Sequence, residues 1–429
     1  DPSSAGDRAE LARLWGVESL SGNPGRTAVE MFDAMRSGEI KAVWIACTNP
    51  AQSLPAQSNV REALERAELV VLQEAFSTTE TARYADVMLP ATTWGEKEGT
   101  ATNSERRITR VRAAVAAPGE ARADWQIATD FARRLETLLR PGRPTLFAFD
   151  SLREIFDEYR ALTRERGTDI TGLSYALLDE RGPQQWPFPE GGESGSARLY
   201  TDFRFATQSG RARFVNTAYR AVAETTDARY PFRLTTGRLR DQWHSMSRTG
   251  RVARLFGHTP EPRVALHPTD LARRALCPGD LVHVESRRGR VTLAAEASEE
   301  LRPGQAFLPM HWGSRFLSGD GALGINAVTL PALDSASRQP ELKHCAVRIT
   351  RAALPWRLVA FGTPADGEAL SLAEALWSSP PARRRSGNNR GRVAAHRTWA
   401  IAQAMPQPSA RAGRFPAPTA ACRGRSVRW

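Results

Sequence analysis

The chain has 429 residues, room for roughly two to four domains, and its 41% hydrophobic and 25% charged content is that of a globular protein. No apolar run reaches the length of about 18 residues that a membrane-spanning helix needs, so no membrane partner is expected. The net charge of +12 is a property of the tail: residues 351–429 carry 13 arginines against three acidic residues, which leaves the rest nearly neutral, and no nucleic-acid partner is expected.

Residues 27–40 read as a helix, because Thr27 and Glu30 have capping-box spacing and Ala28, Met31, Phe32 and Met35 recur at helical intervals. The apolar run 42–47 reads as a buried strand ended by Thr48-Asn49-Pro50, and 61–67 as a helix. A second buried strand, 69–72, ends at Gln73-Glu74, and a third covers 86–90. Residues 125–139 read as a helix with Asp124 at its N-cap. Apolar strands alternating with helices predict an open α/β domain with a parallel sheet over 1–140, and such sheets bind ligands beyond the carboxyl ends of their strands. Those ends are Thr48-Asn49 and Gln73-Glu74.

Residues 141–229 read as an irregular connecting region with local helices such as 152–162. From 230 to 352 short strands (281–286, 290–297 and 306–310) alternate with turns at Pro278-Gly279-Asp280 and Pro303-Gly304-Gln305, interrupted by a helix over 269–276. That is the pattern of a compact barrel. Residues 353–429 form a basic tail without periodicity beyond about Leu376. They are expected to be disordered or the translation of a shifted reading frame, the latter favoured; a nucleic-acid arm is disfavoured because aromatics are not interleaved for stacking.

Four cysteines, none in CxxC spacing, offer neither a metal site nor a disulfide framework, and a reducing, cytoplasmic setting is the expectation. The start at Asp1-Pro2, without Met or a signal pattern, suggests a piece of a longer chain. Lysine occurs only at Lys41, Lys97 and Lys343 against 56 arginines, so a retained lysine suggests a place where a compact ammonium is wanted.

Three strips concentrate hydrogen-bonding groups. "WGEKEGTATNSERR" (94–107) follows the third strand and reads as either a charged loop or a site. "TGRLRDQWHSMSRTG" (236–250) packs many different polar groups without a nucleophile or ligand spacing. "QPELKHCAVRI" (339–349) sets Lys343 before a strand.

Together with Thr48-Asn49-Pro50, "YADVMLPATTWGEKEGTATNSERR", "PGEARADW" at 118–125 and "LPMHW" at 308–312, these strips resemble the molybdopterin oxidoreductases that bind bis-molybdopterin guanine dinucleotide, in particular assimilatory nitrate reductases. The resemblance covers roughly residues 9–349. It implies the last two of four domains, the α/β unit and a double-psi β-barrel. It further implies a cytoplasmic enzyme reducing nitrate with an electron-donor protein or reductase subunit. The 4Fe-4S cluster and the molybdenum-ligating cysteine would lie in a region outside this chain, so none of its residues is expected to be catalytic or to ligate metal, and alone it should be inactive. Cofactor contacts carried over are Asn49, Gln73, Glu74, Lys97 and Asp124 in the α/β part, and Thr236, Gly237, Arg238, Gln242, Trp243, His244, Ser245, Trp312, Asn326 and Lys343 in the barrel.

The chemistry is apt. Guanine presents adjacent N–H donors that suit a carboxylate such as Asp124 or Glu74, a diphosphate asks for cations and backbone N–H groups such as those of Arg238 and Gly237, and Trp312 can cover an aromatic face. Each residue also has a plain alternative: Asp124 as a helix cap, His244 as a satisfied histidine, the tryptophans as core, Cys47 and Cys345 as small buried hydrophobes. A formate dehydrogenase-like enzyme and a non-catalytic, molybdenum-free scaffold of the same superfamily stay open as alternatives.

Overall fold

The structure is a computed structural model, and it describes residues 4–317 and 323–352. The reading of the basic tail falls outside these residues. Helix α1 (Ala5–Leu14) precedes α2 (Ala28–Ser37), which opens with the Thr27–Glu30 capping box and ends at Gly38 with φ 84°. Strand β1 (Ala42–Ala46) leads through Cys47 to the short helix α3 (Pro50–Ser53), then α4 (Gln57–Arg66), β2 (Leu69–Glu74) and β3 (Val87–Pro90). These strands form a parallel sheet of order β1-β2-β3, with Ala46 beside Gln73 and Glu74 beside Pro90. Its core joins Val43, Ile45, Val70 and Leu72 to Phe32, Met35, Val60 and Leu64 of the helices. The parallel sheet is what the near-continuous apolar strands predicted.

The strip 94–107 departs from a loop. It holds β4 (Gly99–Thr102), which pairs antiparallel with β5 (Arg107–Val111) across a tip where Arg106 takes φ 67°. Helix α5 (Asp124–Leu139) follows. Its N-cap is Ala123, whose N–H is taken by the Gln126 side chain, so Asp124 is the first helical residue rather than the cap.

The region expected to be irregular contains α6 (Leu152–Ala161), α7 (Tyr175–Arg181) and β6 (Gln184–Gln185), which extends the β4–β5 sheet. Phe156, Ile170, Leu173, Leu178 and Phe188 pack with Ile108 as a core of their own. Short helices and single apolar residues far apart in sequence gave no periodic signal for that cluster.

Strand β7 (Phe232–Gly237) begins a closed six-stranded barrel of order β10-β8-β11-β7-β12-β9. Around it come the one-turn helix α8 (Ala253–Phe256), β8 (Arg263–Leu266), α9 (Pro268–Arg273), β9 (Leu281–Glu285), β10 (Arg290–Ala297), β11 (Gln305–Pro309) and β12 (Cys345–Arg351). Two contacts, β8–β10 and β7–β11, are parallel and the rest antiparallel. Alternate residues such as Leu234, Val282, Val284 and Leu308 point inward, as a period of two requires. Among the described residues no helix is long and apolar enough to cross a membrane.

Candidate functional site

The carboxyl ends of β1, β2 and β3 open on one cleft of about 530 Å³, and the barrel closes its other side. From the α/β unit come Cys47, Asn49, Gln73, Glu74, Lys97 and Asp124; from the barrel come Trp243, His244, Ser245 and Arg248. Asp124 reaches the cleft because the chain after β3 is tied back to it: Arg122 N–H donates to Pro90 O and Thr92 N–H to Arg122 O, setting the start of α5 beside the strand ends. An apolar groove of about 560 Å³ on the sheet face, floored by Trp44, Val71, Val87 and Phe131, is slightly larger but offers few polar groups to fix a ligand.

The electrostatic centre of the cleft is Asp124. Lys97 Nζ donates to Oδ2 at 2.7 Å and Gln73 Nε2 to Oδ1 at 2.8 Å, with Cys47 Sγ at 3.6 Å from Oδ1. Partial burial pushes this carboxyl up, but the hydrogen bonds from Lys97 and Gln73 and the lysine charge outweigh it, and its pKa lies below the usual value. Glu74 goes the other way: burial raises it, against the pull of the Ala75 and Phe76 N–H groups that it accepts. Cys47 is exposed at the end of β1 with φ 61°, not the buried hydrophobe its apolar run suggested, and partial desolvation of its thiol in the cleft, followed by the Asp124 charge, raises its pKa.

On the barrel side, Trp243 is 45% exposed, with the Arg238 guanidinium 4.8 Å and that of Arg248 5.7 Å from its ring centre. Arg238 Nη2 lies 2.9 Å from His244 Nε2, and since a guanidinium only donates, this nitrogen accepts. Burial and then the Arg238 and Lys343 charges lower the His244 pKa, so the ring is neutral.

A second cleft of about 440 Å³ adjoins the first. It shares Gln52, Ser53, His244 and Ser245 with it and adds Thr236, Asn326, Arg338 and Lys343. Lys343 Nζ donates to Thr236 O at 3.0 Å and Thr236 Oγ1 to Leu342 O at 2.7 Å, which ties the end of β7 to the 339–343 strip. Among the described residues no group of three or more His, Cys, Asp or Glu side chains is arranged to hold a metal ion.

Two family profiles match this chain: Molybdopterin oxidoreductase over residues 5–134 and Molydopterin dinucleotide binding domain over residues 232–346. The chain belongs to the molybdopterin oxidoreductase family. It is 41% identical over 359 residues to a nitrate reductase of Klebsiella oxytoca, covering 82% of this chain and 40% of that protein. It is 36% identical to the assimilatory nitrate reductase catalytic subunit of Bacillus subtilis, over 80% of this chain and 46% of that one. It is also 38% identical to the F420-dependent formate dehydrogenase subunit alpha of Methanocaldococcus jannaschii, over 80% of this chain and 48% of that one. The chain thus spans less than half the length of these relatives. Acetylene hydratase from Pelobacter acetylenicus shares the fold at a TM-score of 0.61 and 20% identity, over 82% of this chain and 50% of that one.

Of the residues carried over from the molybdopterin oxidoreductases, Asn49, Gln73, Glu74, Lys97, Asp124, Trp243, His244 and Ser245 meet in the first cleft, and Thr236, His244, Ser245, Asn326 and Lys343 in the second. Three of the carried-over residues are engaged within the protein. Asn49 is buried and spends its carboxamide on Glu80 Oε2 and on the Thr81 N–H and hydroxyl. Gln242 is buried on Thr249 and Leu255. Trp312, expected to cover an aromatic face, is instead 0% exposed in the barrel core, edge-on to Phe256 and Phe316. The carried-over contacts also omit residues that line the clefts, chiefly Gln52, Ser53, Arg338 and, inside the 236–250 strip itself, Arg248. Gln52 and Ser53 lie four and five residues beyond Thr48, so position after a strand end was the signal that could have found them.

Proposed function

We propose that this chain is the cofactor-binding half of an assimilatory nitrate reductase and holds molybdopterin guanine dinucleotide in its bis form, one dinucleotide in each of the two adjoining clefts. The observation that carries this reading is an Asp124 carboxylate kept ionised by Lys97 and Gln73 on a wall that faces the Trp243–Ser245 strip. An ionised carboxylate suits the paired N–H donors of guanine, while Arg248 and Arg338 with Lys343 offer cations to the diphosphates and the exposed Trp243 a face for a ring. Cleft volumes of this size fall within the range of small-molecule sites. The mixed parallel and antiparallel barrel is proposed to be of the double-psi type, with the α/β unit over 1–140 and the barrel over 230–352 acting as two domains.

When bound, the molybdenum group would supply the two-electron chemistry that turns nitrate into nitrite. What this chain contributes is grip and field. Neutral His244, whose Nε2 accepts from Arg238, keeps its Nδ1–H to donate, and Lys343 offers a positive charge to the second cleft. The metal ligand, the 4Fe-4S cluster and the docking place of the electron donor belong to the further length that the relatives carry. A cytoplasmic setting fits the sparse cysteines.

Formate oxidation is the second reading, favoured by the 38% identity to the Methanocaldococcus subunit. The test joins this chain to the upstream half of a nitrate reductase relative, loads it with the extracted cofactor and assays two reactions. Nitrate-dependent oxidation of a reduced dye is expected; formate-dependent dye reduction without nitrate turnover would overturn the substrate, and failure of the chain to bind the cofactor would overturn the reading itself.

A further inference from the structure

The two clefts share a floor, and that floor is where the α/β unit touches the barrel. Gln52, 4% exposed, donates from Nε2 to Met310 O at 3.2 Å and His311 O at 3.3 Å. The bonds are returned: Asn326 Nδ2 donates to Gln52 O at 3.2 Å and Ser53 O at 2.8 Å. Between them sits Gly313, where a Cβ would overlap Glu80 Oε1 and meet Gln52 Cγ at 2.8 Å. Gly313 is not a left-handed glycine, so its backbone does not demand the residue; the close approach of Glu80 and Gln52 does. Glu80 is 1% exposed, held through Oε2 by Asn49 Nδ2 at 2.7 Å. Arg251 to Thr78 at 2.6 Å and the Arg338–Glu30 ion pair lie at the rim, where solvent weakens them.

From this arrangement we infer that Gln52 and Gly313 are positioning residues: a buried seam of amide-to-carbonyl bonds and side-chain-free contact fixes the spacing of the two units, so that both walls grip one ligand at once. No ligand contact is required of Gly313, and Gln52 spends its amide on the barrel backbone. The inference rests on the proposed function only in naming the ligand. Its physical content is that a ligand spanning both walls feels the spacing, while one seated on the α/β wall alone does not. A gap of a few tenths of an ångström at the seam is felt because packed interiors transmit strain.

The experiment uses the full chain with Gln52→Leu, which removes the bonds, and Gly313→Ala, which inserts a wedge without removing a donor or acceptor. Titrations with guanosine, which carries the base assigned to Asp124 but not the diphosphate assigned to Arg248 on the barrel wall, and with extracted molybdopterin guanine dinucleotide are run on both, with scanning calorimetry of the unliganded proteins. Gly313→Ala should bind guanosine within threefold of the parent, both variants should bind the dinucleotide at least tenfold more weakly, and the single melting transition expected of the parent should separate into two. An equal loss for the two ligands would reduce the seam to general stability and overturn the inference, as would unchanged dinucleotide affinity in Gly313→Ala. If the parent itself binds no dinucleotide, the proposed function fails, and the seam then stands or falls on whether the calorimetric transition splits.

Discussion

Lys97 Nζ lies 2.7 Å from Asp124 Oδ2, across 27 residues of sequence, with both side chains less than a third exposed. Asp124 opens a helix, where backbone N–H groups also favour negative charge. The pair holds Asp124 ionised below the ordinary carboxylate range, so its acceptor character survives mild acid. In Lys97→Met the largest remaining influence is burial, which raises the pKa. GDP binding to the parent should therefore persist to lower pH than binding to the variant, whose acid limb moves up. Asp124→Asn offers guanine one acceptor where two were available and should lose about 1.5–3 kcal/mol of binding at neutral pH. Titration calorimetry across pH 4–8 checks both, and an unmoved acid limb in Lys97→Met would separate Lys97 from Asp124.

His311 gives a second, opposite pH signature. It is 0% exposed and its Nε2 accepts the Leu239 N–H at 3.0 Å, which requires a neutral ring. Burial, with the nearby Arg238 and Lys343 charges and against a backbone hydrogen bond at Trp243, lowers its pKa to about 4 from 6.5. The unfolded chain takes up this proton first as pH falls. The stability attached to His311 is therefore intact above about pH 6.5 and is lost progressively down to about pH 4. Between pH 7 and pH 5 the parent should lose about 2 kcal/mol through this group. Gln in its place can still accept the Leu239 N–H but does not titrate, so urea unfolding of His311→Gln should show that much less acid sensitivity.

The clefts were partly legible in the sequence because their walls hang on local signals. Apolar runs marked β1 and β2, and the residues just beyond them, Asn49, Gln73 and Glu74, arrive at the first cleft as strand ends must. The 236–250 strip announced itself by crowding polar groups that no surface loop needs. What stayed hidden was long-range. Gln52 meets His311 across 259 residues, and no local pattern encodes which carbonyls an amide will find. Asp124 was mistaken for a cap because a cap and a first-turn acid differ by one residue. Trp312 was misread in the same way, since an apolar ring after a strand looks alike whether a ligand or Phe256 covers it.

The seat of the barrel on the chain before it depends on Glu224. Its carboxylate, only 10% exposed, accepts from Arg288 at 2.8 Å and 3.0 Å, from Arg287 at 2.8 Å and from the Ala346 N–H at 2.9 Å. Burial opposes ionisation, but these donors together pull the pKa from 4.5 to about 2. The stabilisation is present above about pH 4.5 and drains away as pH falls toward 2. Glu224→Gln leaves Arg288 half-buried without its counter-charge and should cost about 3 kcal/mol at neutral pH, read by urea unfolding. Arg287, 41% exposed, should matter far less when replaced by Ala.

Gly237 closes β7, and two reasons compete for its lack of a side chain. The chemistry of a diphosphate would use its N–H and need close approach. The packing gives another reason: a Cβ there would lie 2.6 Å and 3.0 Å from the Phe307 ring, on the neighbouring strand β11. If packing decides, Gly237→Ala costs about 1–3 kcal/mol of stability, and adding Phe307→Leu recovers most of it while dinucleotide affinity follows stability. If ligand approach decides, affinity falls and Phe307→Leu does not restore it. The distances favour packing, so the double variant is expected to melt close to the parent and to bind the dinucleotide within a fewfold of it.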